Sequence, residues 1–180
     1  GNWGADLALL VEAARDAGLT ANFYTYYAGT TGVPTAMGAA GEDHVRQVSY
    51  WHPNVPNPKA DPIVQGFHQK FKDDYYVMAT YTGFRLLGEA MKKAKSTDPL
   101  KVALAMEGMK IESLNGEVEM RASDHQIQQA VYVSSWQKVD GKTVKFDQEG
   151  TGFGWRTEAM LEPYVASQPT SCQMKRPAAK

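Results

Sequence analysis

The chain has 180 residues, room for one domain or two small ones, with 43% hydrophobic and 22% charged residues and no low-complexity block. Its formal net charge of -1 supplies no strong field to attract nucleic acid or an anionic membrane; the short clusters Lys92-Lys93 and Lys175-Arg176 read as solvated surface. No apolar run approaches the length that spans a bilayer.

The first predicted element is a helix over residues 5–18. Leu7, Leu10, Val11 and Ala14 recur at helical spacing, and Asp6, Glu12, Arg15 and Asp16 mark the wet side. Asp6 falls in the first turn, where the helix dipole favours an acid, and Gly18 suits the C-terminal cap. The first residue is Gly1 rather than Met and this helix begins at once, so the chain reads as a piece of something longer. The aromatic run over residues 22–27 reads as a buried strand that empties into the loop "AGTTGVP". "PTAMGAAGE" predicts a short helix with Pro34 in its first turn, and "HVRQVSYW" another strand. The opening third is therefore α-β-α-β, which favours a layered α/β fold.

In "HPNVPNPKADP" four prolines, Pro53, Pro56, Pro58 and Pro62, forbid a regular element, so a loop or interlobe connection is expected. Helices follow over residues 65–71 and 75–94, the second with Val77, Tyr81, Phe84, Leu87 and Met91 on or near one face. "STDPLKVALAMEGM" starts a third, with Thr97 or Asp98 as N-cap and Pro99 in the first turn. After Glu112 the texture turns strand-like. Turn signals at Asn115-Gly116 and Asp140-Gly141 predict two or three antiparallel strands, and the polar tail is expected to lie on the surface or fray.

The search for chemistry finds little. His44, His52, His68 and His125 lack metal-ligand spacing, and no nucleophile elbow, phosphate loop or dinucleotide fingerprint occurs. Asp124 beside His125 admits a catalytic pair, but a hydrogen-bonded turn is the commoner reading. Cys172 is the single cysteine; it is a free thiol, or, in an exported protein, the partner of a cysteine outside this segment. No cofactor or metal is expected. The aromatics are placed unevenly: Tyr24, Tyr26 and Tyr27 end a strand, Tyr75, Tyr76 and Tyr81 open a helix, and Trp3 precedes another. Ligands of open α/β sheets settle beyond the carboxyl ends of strands, where a tyrosine offers an apolar face and a polar tip. Core or interface aromatics with backbone-bonded hydroxyls remain the alternative.

"GNWGADLALLVEAARDAGL", "FYTYYAGTTGVPTAMGAAGEDHVRQVSYWHPNVPNP" and "DPLKVALAMEGMKIESLNGEVEMRASDHQIQQAVYVSSW" together resemble, in order and over nearly the whole chain, the second half of periplasmic solute-binding proteins of branched-chain amino acid ABC importers. The resemblance implies a two-lobe Rossmann-like α/β fold represented by its C-terminal half. Residues 1–47 would belong to the second lobe, 48–116 to the first, and 117–180 to the second again, with crossings near residues 48–57 and 113–119. It also implies that Asn2 and Trp3, ahead of the first helix, Tyr27 and Ala28 at the end of the following strand, and Tyr76 at the long helix contact the ligand. Tyr27 departs from the pattern: amino-acid binders place a glutamate there against the ligand's ammonium group. Tyrosine carries no charge at neutral pH, so an aromatic carboxylate or keto acid would suit it as well as an amino acid. The implied role is the substrate-binding component of an ABC importer, exported to the periplasm and monomeric. Its partners are a small solute and a membrane permease, with no nucleic acid and no catalysis. A ligand-sensing regulatory protein on the same fold is the alternative, and an α/β enzyme using Asp124 and His125 a third.

Overall fold

Helix α1 (Ala5–Asp16) opens the structure, a computed structural model that describes residues 4–76 and 78–171 together with Gln173, Lys175 and Pro177. Its buried face is Leu7, Ala8, Val11 and Ala14, while Leu10, expected inside, is 41% exposed. Ala8 takes that place because residues 7, 8, 11 and 14 fall on one stripe, whereas Leu10 lies about 100° round the helix from the centre of that stripe, on the side of Asp6. The helix ends in a Schellman motif: Gly18 adopts φ +69°, its N–H donates to Arg15 O, and Leu19 N–H donates to Ala14 O.

The chain then forms β1 (Phe23–Thr25), the short helix α2 (Val33–Met37), a 3-10 turn (Gly38–Gly41) and β2 (Val45–Ser49). The expected strand over residues 22–27 is shortened to three residues and is not buried: Tyr24 and Tyr26 are 66% and 72% exposed. It lies at the edge of its sheet, so its outer side meets solvent, and the Arg46 guanidinium lies over the Tyr24 ring. Three of the four prolines sit in the loop before α3 (Asp61–Phe71); Pro62 instead occupies that helix's first turn, so α3 begins four residues earlier than Gln65.

Helix α4 (Met78–Ala94) is shorter than expected, with Tyr75 and Tyr76 ahead of it. Its buried stripe is Thr82, Leu86 and Ala90, at spacing four; Phe84, two residues off that stripe and hence about 200° round the helix, is 71% exposed. Val77, assigned to the apolar face, lies outside the described residues. Helix α5 (Pro99–Met106) starts as read: Asp98 is the N-cap, its carboxylate accepting the Lys101 N–H at 3.0 Å. The remaining elements are β3 (Lys110–Ser113), β4 (Gly116–Met120), β5 (Ile127–Gln128), β6 (Val131–Lys138), β7 (Phe153–Leu161) and α6 (Pro163–Ala166).

The strands belong to two sheets. One has the order β1-β2-β6-β7, with β1 and β2 parallel and β2 and β6 antiparallel; the other is the antiparallel β3-β4-β5. In the β3–β4 hairpin Ser113 pairs with Gly116, leaving Leu114 and Asn115 at the tip and Gly116 at φ +96°. The second turn signal is a turn but not a hairpin: Asp140 accepts the N–H groups of Lys142, Thr143 and Val144 and the Thr143 hydroxyl, and the next strand begins only at Phe153.

The chain divides into two compact units. The first comprises residues 1–76 and 131–160, the second residues 77–130 and 161–180. The first unit packs α1 and α2 on the four-stranded sheet around Leu7, Val11, Val33, Met37, Val45, Trp136 and Trp155. Both indoles are fully buried with their N–H groups bonded, Trp136 to Gly38 O at 2.8 Å and Trp155 to Gln148 Oε1 at 2.7 Å. The second unit packs α4 and α5 on the three-stranded sheet around Leu86, Ala90, Val102, Ile111 and Val118. Among the described residues no helix is long and apolar enough to cross a membrane.

Candidate functional site

β1 and β2 run parallel, so their carboxyl ends open on the same side, and a pocket of about 510 Å³ lies there within the first unit. It is lined by Tyr26, Tyr27, Gly29 and Thr30 after β1, by residues 47–53 from the end of β2 onward, and by Tyr75, Tyr76, Val131, Gln148 and Trp155. None of these is Asp, Glu, Lys or Arg. The lining is aromatic and formally neutral, suited to flat or branched apolar groups with a few directed polar contacts.

Gly29 lies against the Gln47 side chain: a Cβ there would stand 2.2 Å from Gln47 Oε1 and would push that amide aside. The Gln148 side chain ties this loop to the core, donating to Gly29 O at 3.0 Å while accepting from the Trp155 indole. His52 is 2% exposed; burial pushes its imidazole down to about 3, so it is neutral. Its Nδ1 accepts the Asn54 N–H, which leaves Nε2–H to donate to Thr157 Oγ1 at 2.9 Å. Both nitrogens are thus occupied, and His52 is a structural member of the wall.

Beside the pocket, Glu149 gathers four donors. Its Oε1 accepts the Gly32 N–H at 2.6 Å and the Tyr76 hydroxyl at 2.7 Å; its Oε2 accepts the Thr35 N–H at 2.8 Å and the Thr35 hydroxyl. Gly32 is the N-cap of α2 and has no side-chain oxygen, so Glu149 supplies the capping acceptor from 117 residues away. Burial alone would raise the Glu149 pKa, but the bonds from Thr35, Gly32 and Tyr76 outweigh it and hold the carboxyl below its ordinary value. Burial, with the anionic Glu149 as hydrogen-bond partner, raises the Tyr76 phenol well above its ordinary value, so it stays protonated. Asp74 accepts the Glu149 N–H, yet burial leaves its pKa raised, with Asp147 and Glu149 adding repulsion.

The residues expected to contact a ligand are distributed as follows. Tyr27, 51% exposed, and Tyr76, half-buried, line the same pocket. Ala28 is fully buried in the core of the first unit and is not among the lining residues; its N–H donates to Thr25 Oγ1. Asn2, Trp3 and Cys172, with the bridge considered for it, lie outside the described residues. Gln47, Ser49, Trp51 and Gln148 were not picked out from the sequence. The alternation Gln47, Ser49, Trp51 along and just beyond β2 is the signal that could have found the first three. Asp124 and His125 turn to different partners: Asp124 bonds Arg121 and the Gln126 N–H, and His125 Nε2 faces Glu107 at 3.2 Å. Among the described residues no group of three His, Cys, Asp or Glu side chains could hold a metal ion.

A family model described as "Periplasmic binding protein" matches residues 1–142. The Leu/Ile/Val-binding protein homolog 4 of Brucella abortus (strain 2308) is 30% identical over 190 residues, an overlap covering 98% of this chain and 43% of that protein. The leucine-, isoleucine-, valine-, threonine- and alanine-binding protein of Brucella ovis, in a closed conformation, superposes with a TM-score of 0.85 at 28% identity, covering 98% of this chain and 46% of that one. A solute-binding protein of an ABC transporter from Rhodopseudomonas palustris BisB5, solved with 3,4-dihydroxy benzoic acid, has a TM-score of 0.65 at 19% identity over 88% of this chain and 49% of its own, a likeness of fold alone. The chain spans less than half the length of the curated relatives it matches. With the family model covering most of its residues and the α/β fold shared across these structures, the chain belongs to the periplasmic binding protein family.

Proposed function

We propose that the protein is the substrate-binding component of an ABC importer, working in the periplasm as a monomer. It captures a small carboxylate-type solute in a cleft between its lobes and presents it to a membrane permease, without chemistry of its own. The observation that carries this reading is the neutral, aromatic pocket at the carboxyl ends of β1 and β2 in a chain of this family. The amino-acid names of the Brucella relatives favour an amino acid. The uncharged Tyr27 in the wall leaves an aromatic or keto acid as the other candidate. Solute contacts from both lobes would stabilise the closed form that the permease recognises.

The test is a thermal-shift screen of the full-length protein against leucine, valine, alanine, aromatic carboxylates and keto acids. A solute that binds only the folded state raises stability by about 2.7 kcal/mol at a hundredfold excess over its Kd, a readily measured shift. A shift with any of these supports the reading, and a flat response across the panel rejects it.

A further inference from the structure

A second pocket, of about 370 Å³, lies wholly within the first unit and is formed by α3, the loop after β2 and residues 146–147. It shares only Trp51, Pro53 and Tyr75 with the pocket at the ends of β1 and β2. Its walls are apolar, from Trp51, Val55, Val64, Tyr75 and Phe146, and the Trp51 and Tyr75 rings meet edge to face at 6.0 Å. Its charges have one sign. Asp61, Asp74 and Asp147 line it, and among the described residues no Lys or Arg does. The lining's one imidazole, His68, gives its Nδ1–H to Asp73 O at 3.2 Å and stands 3.8 Å from Asp74 Oδ1. Asp61 is in the first turn of α3, where the helix dipole favours an acid. Asp74 and Asp147 have no such compensation. Each uses one oxygen to accept a backbone N–H, Asp74 from Glu149 and Asp147 from Gly152 at 2.9 Å, and the Oδ1 of each has no hydrogen bond. Burial, with repulsion from Asp147 and Glu149, pushes the Asp74 carboxyl up despite the Glu149 N–H, so negative charge is in excess here. An independent polar atom also lacks a partner. Trp51 is 8% exposed, and its indole Nε1 is buried with no hydrogen bond among the described residues. A buried donor left unpaired is costly, so it calls for an acceptor atom.

We propose that this second pocket binds a small aromatic amine carrying a phenol oxygen: Asp74 and Asp147 hold its ammonium group, the aromatic wall takes its ring, and the Trp51 indole N–H donates to its oxygen. An ammonium group supplies the positive charge and the donors that the two free carboxylate oxygens lack, and the faces of Trp51, Tyr75 and Phe146 attract both a ring and a cation. The site is separate from the solute pocket and stands whether or not that pocket holds an amino acid or an aromatic or keto acid.

The experiment is calorimetric titration of the full-length protein with tyramine, with 4-ethylphenol, which lacks the ammonium group, and with 2-phenylethylamine, which lacks the oxygen. Tyramine is expected to saturate one site per chain and to bind about tenfold or more tighter than 4-ethylphenol, the scale of a hydrogen bond to a charged group, and about fivefold tighter than 2-phenylethylamine. Asp147→Asn keeps an oxygen for the Gly152 N–H but removes a charge, and should weaken tyramine about tenfold while leaving 4-ethylphenol unchanged. Asp74→Asn is the second variant, so that a folding defect in either leaves the other to decide, with thermal melts reporting which variants fold. Asp6→Asn, on the exposed face of α1, changes the net charge equally and should leave tyramine binding as it was. No saturable tyramine binding, either analogue binding as tightly as tyramine, or affinity unmoved in both Asp74→Asn and Asp147→Asn would overturn the proposal. So would an equal loss in Asp6→Asn, since the protein's overall charge rather than this pocket would then attract the amine.

Discussion

The Trp155 indole N–H donates to Gln148 Oε1 at 2.7 Å, and the same Gln148 amide donates to Gly29 O at 3.0 Å. One 4%-exposed side chain thus joins the aromatic core of the first unit to the loop that follows β1. A glutamine is needed because the contact uses both a donor and an acceptor. Gln148→Met keeps the approximate volume but leaves a buried indole N–H and a carbonyl unpaired. Each lost pairing costs about 1–3 kcal/mol, so urea denaturation should show a loss of at least about 1 kcal/mol. A variant as stable as the parent would show that water replaces the amide at no cost.

Two glycines should respond oppositely to alanine. A Cβ on Gly154, in β7, would stand 2.4 Å from the backbone oxygen of Phe146, which is held in place by the Asn54 amide donating to it at 2.9 Å. Gly154→Ala should cost about 1–3 kcal/mol by overpacking. Gly66, inside α3, has open space where its Cβ would be. Gly66→Ala should gain about 0.5–1 kcal/mol from helix propensity. Paired thermal melts of the two variants check both signs.

Acid should destabilise the protein through His52. Its folded pKa of about 3 lies below the 6.5 of the free side chain, so between those values the unfolded chain binds a proton that the native state refuses. Stability is therefore full above pH 6.5 and falls as pH drops towards 3. At pH 5 the loss from this one group is about 2 kcal/mol, at 1.36 kcal/mol per pH unit. Urea midpoints at pH 7 and pH 5 for the parent and for His52→Gln measure it: the variant should be less sensitive to pH over this interval. Equal slopes would locate the acid sensitivity elsewhere.

At the start of α5, Asp98→Ala removes the acceptor for the Lys101 N–H. A cap of this kind is worth about 0.5–2 kcal/mol, and Asp98→Ser should recover most of it. Thermal denaturation of the two variants side by side is the check. If Ser and Ala behave alike, the charge at the helix start rather than the cap bond carries the effect.

Local rules determined much of this protein before any fold was known. The Gly18 cap of α1, the Asp98-Pro99 start of α5, the proline-broken loop after β2 and the turn at Asp140-Gly141 each depend on residues within about a turn of one another. Their hydrogen bonds close within the segment, so its own residues specify them. The family likeness was legible for a related reason, since it is carried by the order of many such segments. What only the tertiary structure decided is where those segments meet. β4 and β6 have similar alternation yet enter different sheets, because strand pairing depends on partners distant in the chain. Phe84 and Leu10 carry the right residue type for a core but lie off the stripes that α4 and α1 bury. Glu149 reaches Tyr76 across 73 residues and Gly32 across 117, and no periodicity links such positions. Of the tyrosines singled out in the sequence, Tyr26, Tyr27, Tyr75 and Tyr76 line the candidate pocket. The anion behind Tyr76 became visible only when the chain returned past β6 and brought its carboxylate to the phenol, where four donors hold it ionised against the cost of burial.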